Sequence, residues 1–487
     1  MIDLLASLER WASERPAQPA FTWDGGAIGY GALRRRVAGA AEEFAALPPV
    51  VGLLAEDGID WVIADLAAGA AGKTLVPIPP FFSAQQIAHL IADAGVAHVL
   101  TDERLQPLIR PLGMPCSPVP CREAAVLPNI AGGRRLIYTS GSTGTPKGVR
   151  LGGAQIGHSV RALAQASAAG AEDRHLSVLP FALLLEQICG IYLVLHAGAS
   201  CHIAAGAAAR CAEGDPGALL KACEAWQPTT TVLVPQLLAA LAGGYAALGR
   251  KAPVSLRFVA VGGAAVPAAL LEAAWASGIP ACSGYGLSEC CSVVSVSRPG
   301  SRSHSAGPPL PGVTVEIEDG EIVVSGPTVM QGYLGGAAPE GRWATGDLGH
   351  FDGDGNLVVV GRKDNLVVTP NGRNISPEWI EAMVERDPRI RRCVVVCGAD
   401  GALTAIVTPA DTLPAPGDLA AAVSVAVREA PAYARPTLCI PTSEEVIAGD
   451  GLLNGKGEPR RAAFAACFSG VAGPSLKIEV PLEFIAS

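Results

Sequence analysis

The residues of this chain that are best suited to chemistry lie between Thr139 and Gly148. The segment reads Thr-Ser-Gly-Ser-Thr-Gly-Thr-Pro-Lys-Gly, so it combines hydroxyl side chains, glycines and one lysine. It follows Leu136–Tyr138, which has the pattern of a buried strand, and a helical pattern begins at about Gly152. Glycines let backbone N–H groups approach phosphate oxygens, and hydroxyls and a lysine add donors and positive charge. The pattern predicts a phosphate-binding loop between a strand and a helix, and a plain Ser/Gly linker is the alternative.

The surroundings of the lysine separate this loop from the P-loop of kinases and GTPases. That loop requires Ser or Thr directly after its lysine. Here Pro146 precedes Lys147 and Gly148 follows it. The segment therefore predicts a phosphate-binding loop of another class.

Five motifs in one order make the chain resemble the adenylate-forming superfamily, which includes acyl-CoA synthetases, luciferases and the adenylation domains of peptide synthetases. The first motif is the loop described above, and the five together spread over more than three hundred residues. Their style is most similar to that of fatty acyl-CoA synthetases. The other four are Gly284–Glu289, Thr345–Asp347, Gly361–Asp364 and Asn454–Lys456.

The resemblance implies a reaction in two steps. A carboxylate attacks the α-phosphorus of ATP to give an acyl-adenylate and pyrophosphate, and a thiol then displaces AMP. Both reactants of the first step are anionic, so the protein has to position them and neutralise their charge. The implied cofactors are ATP and Mg²⁺, and the acceptor is CoA or the phosphopantetheine of an acyl carrier protein.

The resemblance also implies four catalytic residues. Lys456 contacts the carboxylate of the acid and the phosphate oxygens, and Lys147 holds the β- and γ-phosphates with the loop hydroxyls. Glu289 binds Mg²⁺, which accepts hard oxygen ligands; a glutamate favoured at a helix N-terminus is the alternative. Ser288 replaces the commoner threonine and still offers a hydroxyl to the α-phosphate.

The nucleotide contacts follow from the same resemblance. Tyr285 stacks on adenine, Asp347 anchors the ribose hydroxyls, and Arg362 makes a second ribose or phosphate contact. Core packing, an Asx turn and a surface salt bridge are the respective alternatives. The full set expected to bind ATP or AMP is Thr139, Ser140, Gly141, Ser142, Thr143, Gly144, Thr145, Lys147, Gly263, Ala264, Tyr285, Gly286, Asp347 and Arg362.

The acid is specified less clearly than the nucleotide. Leu179–Gln187 resembles the family's acyl-pocket segment, and Leu183 and Leu184 are its candidate pocket residues, although the family's usual histidine near Leu183 is absent. Members that activate amino acids carry an aspartate near Phe181–Ala182, where this chain is apolar. An unpaired buried ammonium is costly, so an acid without an α-amine is favoured. Glu186 is expected to contact the scaffold, and fatty and aryl acids both remain open.

Three functions remain open at this point. The first is an AMP-forming acid–CoA ligase acting on a fatty or aryl acid, and the second is a ligase that loads the acid onto an acyl carrier protein. The third is a nucleotide-binding relative without turnover, which the retained Lys147, Glu289 and Lys456 disfavour.

Elements of the expected types surround these residues. Short apolar runs alternate with Ala-rich helical patterns, which predicts an α/β fold of helix-covered parallel sheets. From Val313, strands joined by Asp-Gly turns predict a β subdomain. We predict a large N-terminal domain over 1–361, which binds the nucleotide and the acid. A small mobile α+β domain over 362–487 carries Lys456, and Asp364 is the hinge.

The composition excludes several classes of partner. The 487 residues carry a net charge of −9 without any basic run, which argues against nucleic acid. Thirteen cysteines without a CxxC pair, and no signal peptide, predict a reduced, cytoplasmic protein. The longest apolar stretch, 181–199, is interrupted by Glu186 and Gln187, so we expect a buried helix and no transmembrane segment.

Overall fold

The computed structural model describes residues 2–128, 133–139, 146–212, 215–368, 374–398, 402–410, 416–428, 430–447, 451–453, 459–468 and 476–477. The strands of two helix-covered sheets come first along the chain, and a β subdomain and a small α+β unit follow them. The predicted α/β class is therefore confirmed.

The strands of the large unit are short and mostly buried. Val50–Leu54, for example, is an almost continuous apolar run, as expected for parallel strands covered on both faces. Numbered along the chain, they are β1 (Pro19–Trp23), β2 (Gly26–Gly29), β3 (Val50–Leu54), β4 (Thr74–Pro77), β5 (His98–Thr101), β6 (Cys116–Ser117), β7 (Arg134–Thr139), β8 (Lys147–Leu151), β9 (Arg174–Ser177), β10 (Ser200–Ile203), β11 (Thr230–Leu233), β12 (Phe258–Val261), β13 (Ala281–Tyr285), β14 (Ser295–Val296), β15 (Thr314–Glu318), β16 (Glu321–Ser325), β17 (Arg342–Phe351) and β18 (Leu357–Arg362).

The helices of this unit cover the sheets with apolar faces. A π-helical segment at Gln187–Tyr192 interrupts the apolar stretch that the sequence predicts as one buried helix. The α-helices are α1 (Ile2–Glu14), α2 (Tyr30–Ala45), α3 (Ile59–Ala70), α4 (Ala84–Ala94), α5 (Gln106–Ile109), α6 (Gly153–Ser167), α7 (Leu184–Glu186), α8 (Leu193–Ala197), α9 (Ala207–Ala212), α10 (Gly217–Trp226), α11 (Pro235–Ala247) and α12 (Ala268–Ala276).

Most of these strands form two largely parallel sheets. The eight-stranded sheet has the order β14-β13-β12-β11-β9-β10-β1-β2, and the six-stranded sheet has the order β6-β5-β3-β4-β7-β8. Antiparallel strands lie at the edges, where β14, β2 and β8 pair with their neighbours. The carboxyl ends of parallel strands meet at one edge of a sheet, where ligands commonly bind in open α/β folds.

The first motif connects β7 to β8, not a strand to a helix. β8 runs antiparallel to β7 and pairs Lys147 with Thr139, so the two ends of the motif lie side by side. Helix α6 begins only at Gly153, six residues after Lys147. The expectation of a strand–loop–helix connection is therefore wrong: Lys147–Leu151 extends as an edge strand before the helix begins.

A four-stranded antiparallel sheet, β15-β16-β17-β18, forms the β subdomain. Its long strand β17 contains the third motif, Thr345–Asp347, and pairs Asp347 with Arg362 of β18. Motifs three and four therefore lie opposite each other on adjacent strands.

The small unit has hydrophobic clusters of its own, one of which runs from Ile375 to Cys439. Its strands are β19 (Val367–Val368), β20 (Asn374–Ile375), β21 (Ile390–Cys397), β22 (Leu403–Pro409), β23 (Leu438–Pro441) and β24 (Leu476–Lys477). Its helices are α13 (Pro377–Val384), α14 (Pro416–Ala426), α15 (Glu444–Ile447) and α16 (Arg461–Phe468). The division of the chain at 361/362 stays a prediction.

A buried ion pair lies at the start of β7. Arg135 Nε is 2.6 Å from Asp65 Oδ1, and both side chains are 0% exposed. The Tyr192 hydroxyl donates to the same carboxylate, at 2.8 Å from Oδ2. Together these contacts connect α3 and the π-helical segment to the strand that leads into the first motif.

None of the helices that the structure describes is both long and apolar enough to cross a membrane. The cytoplasmic location stays a prediction.

Candidate active site

The first motif is positioned by three adjacent strand segments. Ser140, Gly141, Ser142, Thr143, Gly144 and Thr145 lie outside the described residues. Thr139 and Lys147, at the two ends, are paired across β7 and β8. The other edge of β8 pairs with Gln331–Leu334: the Leu334 N–H donates to Gly148 O at 2.8 Å, and the Arg150 N–H donates to Gly332 O at 3.1 Å. Lys147 therefore begins a strand that is held on both edges.

Tyr333 connects Glu289 to the beginning of this strand. Ser288 and Glu289 form a short 3₁₀ turn that follows β13. The Tyr333 hydroxyl donates to Glu289 Oε1 at 2.8 Å, and the Lys147 ammonium lies 5.6 Å from the centre of the Tyr333 ring. Burial, and then the charge of Glu289, raise the pKa of Tyr333 well above its ordinary value. The hydroxyl is therefore a donor at physiological pH.

The chemistry of this carboxylate suits a divalent cation. Among the described residues, Glu289 Oε2 has no hydrogen-bond partner, and no group of three or more His, Cys, Asp or Glu side chains could hold a metal there. Mg²⁺ in nucleotide sites needs only one or two carboxylates, because phosphate oxygens and waters complete its coordination. The donor set thus suits a Mg²⁺ ion that arrives with ATP.

Asp347 joins Tyr285 to Arg362. The Tyr285 hydroxyl donates to Asp347 Oδ2 at 2.6 Å, and Arg362 NH1 donates to Asp347 Oδ1 at 2.9 Å. The Asp347 N–H donates to the Thr345 hydroxyl at 3.0 Å, which fixes the turn. Burial and the Asp347 charge raise the pKa of Tyr285 far above its usual range. Burial alone would lower the pKa of Arg362, but Asp347 raises it overall.

The backbone around Tyr285 is shaped by close approaches. A Cβ at Gly286 would overlap the Ser292 carbonyl oxygen, so only glycine fits there. Gly263 has φ +82° just beyond the carboxyl end of β12, the parallel neighbour of β13. Gly263 and Ala264 therefore follow the strand next to the one that ends at Tyr285, and their contact with adenine stays a prediction.

The predicted hinge lies between residues held by different units. Lys363 Nζ is 2.7 Å from Glu321 Oε2 of β16, whereas Asn365 Nδ2 donates to Glu378 Oε1 of α13 at 2.6 Å. Asp364 is exposed, with Arg362 NH2 3.7 Å away. Glu378 also pairs with Arg461, at 2.8 Å. Lys456, the expected catalytic lysine, lies outside the described residues.

The candidate acyl segment is packed into the core. Phe181 is fully buried with its ring centre 5.4 Å from that of Trp61, and Leu184 is buried, whereas Leu183 is half-buried. Glu186 is completely buried with Oε1 3.6 Å from His175 Nε2, and neither carboxylate oxygen has a hydrogen-bond partner among the described residues. These contacts place Glu186 within the scaffold.

The sequence motifs did not single out Tyr333, which contacts two of the predicted site residues. Its relation to Glu289 depends on pairing between β8 and a segment about 180 residues away, which no local pattern reveals.

Comparison with known proteins identifies the family. The family model described as AMP-binding enzyme matches residues 8–128 and 134–334. A 2-succinylbenzoate–CoA ligase from Bacillus licheniformis is 33% identical over 303 residues, or 56% of this chain and 58% of that protein. The match thus spans little more than half the length of that relative. A feruloyl-CoA synthase from Amycolatopsis is 31% identical over 452 residues, or 84% of this chain and 89% of that protein.

Solved structures agree on the fold. O-succinylbenzoate coenzyme A synthetase (MenE) from Bacillus subtilis, in complex with ATP and magnesium ion, superposes with a TM-score of 0.78 at 23% identity, covering 94% of this chain and 98% of that one. At this identity the likeness concerns the fold alone. The family match and the feruloyl-CoA synthase relative show that the chain belongs to the AMP-binding enzyme family, within the adenylate-forming superfamily that its motifs resemble.

Proposed function

We propose that this chain is an ATP-dependent aryl acid–CoA ligase, which converts an aryl carboxylic acid to its acyl-adenylate and then to a CoA thioester. The observation that carries the proposal is the Asp347 carboxylate, which Tyr285 and Arg362 hold between two motifs at 2.6 and 2.9 Å. This arrangement offers an anionic acceptor to ribose hydroxyls beside an aromatic ring suited to adenine.

The remaining described residues supply charge where the phosphates would lie. Lys147 provides a cation at the end of the phosphate loop, and Glu289 would hold Mg²⁺ through its free oxygen. When bound, the ion would neutralise phosphate charge and so assist the departure of pyrophosphate. Lys456 would stabilise the charge that develops between the acid and the α-phosphate.

The acid is an aryl acid in this proposal. The relatives named above act, by their names, on 2-succinylbenzoate and on ferulate, both aromatic acids. The names of these relatives favour an aryl acid, although the motif style of the sequence is most similar to that of fatty acyl-CoA synthetases. Phe181 and Ala182 are buried apolar residues where an α-ammonium would need a carboxylate, so amino acids are disfavoured.

The thiol acceptor is CoA, as the names of both relatives suggest. After adenylation, the small unit would rotate at Asp364, withdraw Lys456 and admit the thiol. A carrier-protein phosphopantetheine is the other acceptor that the same chemistry allows.

The decisive experiment measures pyrophosphate release over a panel of benzoates, cinnamates and saturated fatty acids, followed by CoA or a carrier protein as acceptor. We expect an aryl acid to have the highest kcat/KM. A matched pair tests the pocket: 3-phenylpropanoate should exceed phenylalanine by at least about 10²-fold, since the two differ only in an α-ammonium. Preference for phenylalanine, or no acid-dependent pyrophosphate release, would overturn the proposal.

A further inference from the structure

Tyr333 contacts two residues, Lys147 and Glu289, to which the proposed function assigns charge near the phosphates. Its hydroxyl donates to Glu289 Oε1 at 2.8 Å, and its ring centre is 5.6 Å from the Lys147 ammonium. Neither contact is local in sequence, since Tyr333 is 44 residues from Glu289. One side chain therefore connects the cation of the first motif with the carboxylate of the second.

The backbone around Tyr333 is held firmly enough to position a side chain. Tyr333 forms an isolated β-bridge with Val149 of β8. The Met330 N–H donates to Glu289 O at 2.8 Å, so the same segment also contacts the backbone of Glu289. The ring of Trp343 lies edge-on to that of Tyr333, with 5.7 Å between their centres. Tyr333 is thus fixed from three directions.

We propose that Tyr333 is a positioning residue for metal-bound ATP, which orients the Glu289 carboxylate through its hydroxyl and the Lys147 ammonium through its ring. The proposal rests on the proposed function, because it assigns Mg²⁺ to Glu289. The Tyr333 hydroxyl donates to Glu289 Oε1, which fixes the rotamer of the carboxylate and leaves Glu289 Oε2 on the side away from this hydrogen bond. Groups that orient a metal ligand in this way typically change metal affinity by about 10- to 100-fold when they are lost.

The hydroxyl and the ring can be tested separately. Tyr333→Phe keeps the ring near Lys147 and removes only the donor to Glu289, whereas Tyr333→Leu removes both. Tyr245→Phe is the matched control, because the Tyr245 hydroxyl is buried without a hydrogen-bond partner in the described structure. Calorimetry would measure ATP binding in EDTA and over a Mg²⁺ titration, and thermal unfolding would check the fold.

In Tyr333→Phe, we expect the apparent Mg²⁺ dissociation constant measured with ATP to rise about 10-fold or more, while ATP affinity in EDTA stays unchanged. Tyr333→Leu should in addition bind ATP more weakly in EDTA, because Lys147 loses the ring. Tyr245→Phe should match the wild type in both titrations. The role assigned to Tyr333 would be overturned, and the proposed function would stand, if the Mg²⁺ dissociation constant of Tyr333→Phe were unchanged. The same holds if Tyr333→Phe lost equal ATP affinity with and without Mg²⁺. A wild-type protein that binds no ATP would overturn the proposed function and this inference together.

Discussion

The hydroxyl of Tyr285 lies 2.6 Å from Asp347 Oδ2, and this hydrogen bond connects the end of a parallel strand to the middle of an antiparallel one. The two residues are 62 positions apart in the chain and belong to different sheets. Because Arg362 occupies the other carboxylate oxygen, Asp347 is held in one orientation before any nucleotide arrives. Such preorganisation reduces the ordering that binding would otherwise require.

Replacing Asp347 with Asn should weaken nucleotide binding selectively. The change removes the charge that Arg362 and the Tyr285 hydroxyl both contact, and with it the proposed anionic acceptor for ribose. We expect the KM for ATP to rise by about 10- to 100-fold, as for loss of a charge-assisted hydrogen bond, while the KM for the acid stays within about twofold. Steady-state kinetics on both substrates would measure this. Asp354→Asn, in an exposed turn, is the control, and equal changes in the two KM values would contradict the prediction.

Replacing Lys456 with Ala should separate the two half-reactions. Loss of one charge contact made in the transition state should slow adenylation by about 10²- to 10³-fold. Conversion of presynthesised acyl-adenylate to thioester should proceed normally, because the proposed function assigns this lysine to the first step alone. Rapid-quench assays of each step would measure the two rates, with Lys221→Ala on the exposed face of α10 as control. Equal slowing of both steps would assign Lys456 a different role.

The Asp57 carboxyl should make stability depend on pH. Burial, together with the neighbouring charge of Glu186, raises its pKa from 3.8 to about 6, although the Phe181 N–H donates to it at 2.8 Å. The folded state therefore binds the proton more tightly than the unfolded state. The contribution of this group is fully present below pH 3.8 and is lost as the pH rises through about 6.

Asp57→Asn retains an oxygen for the Phe181 N–H but carries no charge to bury. We expect this variant to equal the wild type near pH 4 and to exceed it above pH 7 by up to about 3 kcal/mol in free energy of unfolding. Urea denaturation across this pH range would measure the difference, with Asp354→Asn as control. A difference that does not vary with pH would show that Asp57 is not the titrating group.

The buried pair of Asp65 and Arg135 should be far more important to stability than an exposed one. Asp65→Ala leaves the buried Arg135 guanidinium without the carboxylate that balances its charge and should cost about 3–5 kcal/mol of unfolding free energy. Glu14→Ala breaks the exposed pair with Arg10 and should cost less than about 0.5 kcal/mol. Tyr192→Phe, which removes one donor to Asp65, should fall between them at about 1–3 kcal/mol. Comparable losses in Asp65→Ala and Glu14→Ala, measured in urea, would contradict this ranking.

Local patterns predicted those elements whose packing is uniform along their length. Strand β3 matches the apolar run Val50–Leu54 because both of its faces are buried. The same reasoning missed strand β17, because the buried positions on either side of Gly346 are the polar residues Thr345 and Asp347, which give no apolar alternation. It also missed β8, whose glycine and charged residues make a poor strand until Gln331–Leu334 pairs with its free edge. The errors therefore occur where partners distant in sequence decide the conformation.

The residues of the candidate site likewise divide into those that local motifs indicate and those that depend on partners distant in sequence. The motifs pointed to Glu289, Asp347 and Arg362 as candidates, because each motif has its candidate side chain at a fixed position, and their roles stay predictions. Tyr333 could not be found from these motifs, since its contact with Glu289 exists only after β8 and Gln331–Leu334 have paired.

The contacts on either side of Asp364 have a consequence for the order of product release. Arg362 and Lys363 are bound to Asp347 and Glu321 of the large unit, whereas Asn365 is bound to Glu378 of the small one. Under the proposed function, a rotation confined to Asp364 would carry Lys456 away and leave Arg362 in place beside the proposed ribose site. AMP would then keep the same ribose contacts before and after the turn. We therefore expect AMP to remain bound while the thioester forms, and to be the last product to leave.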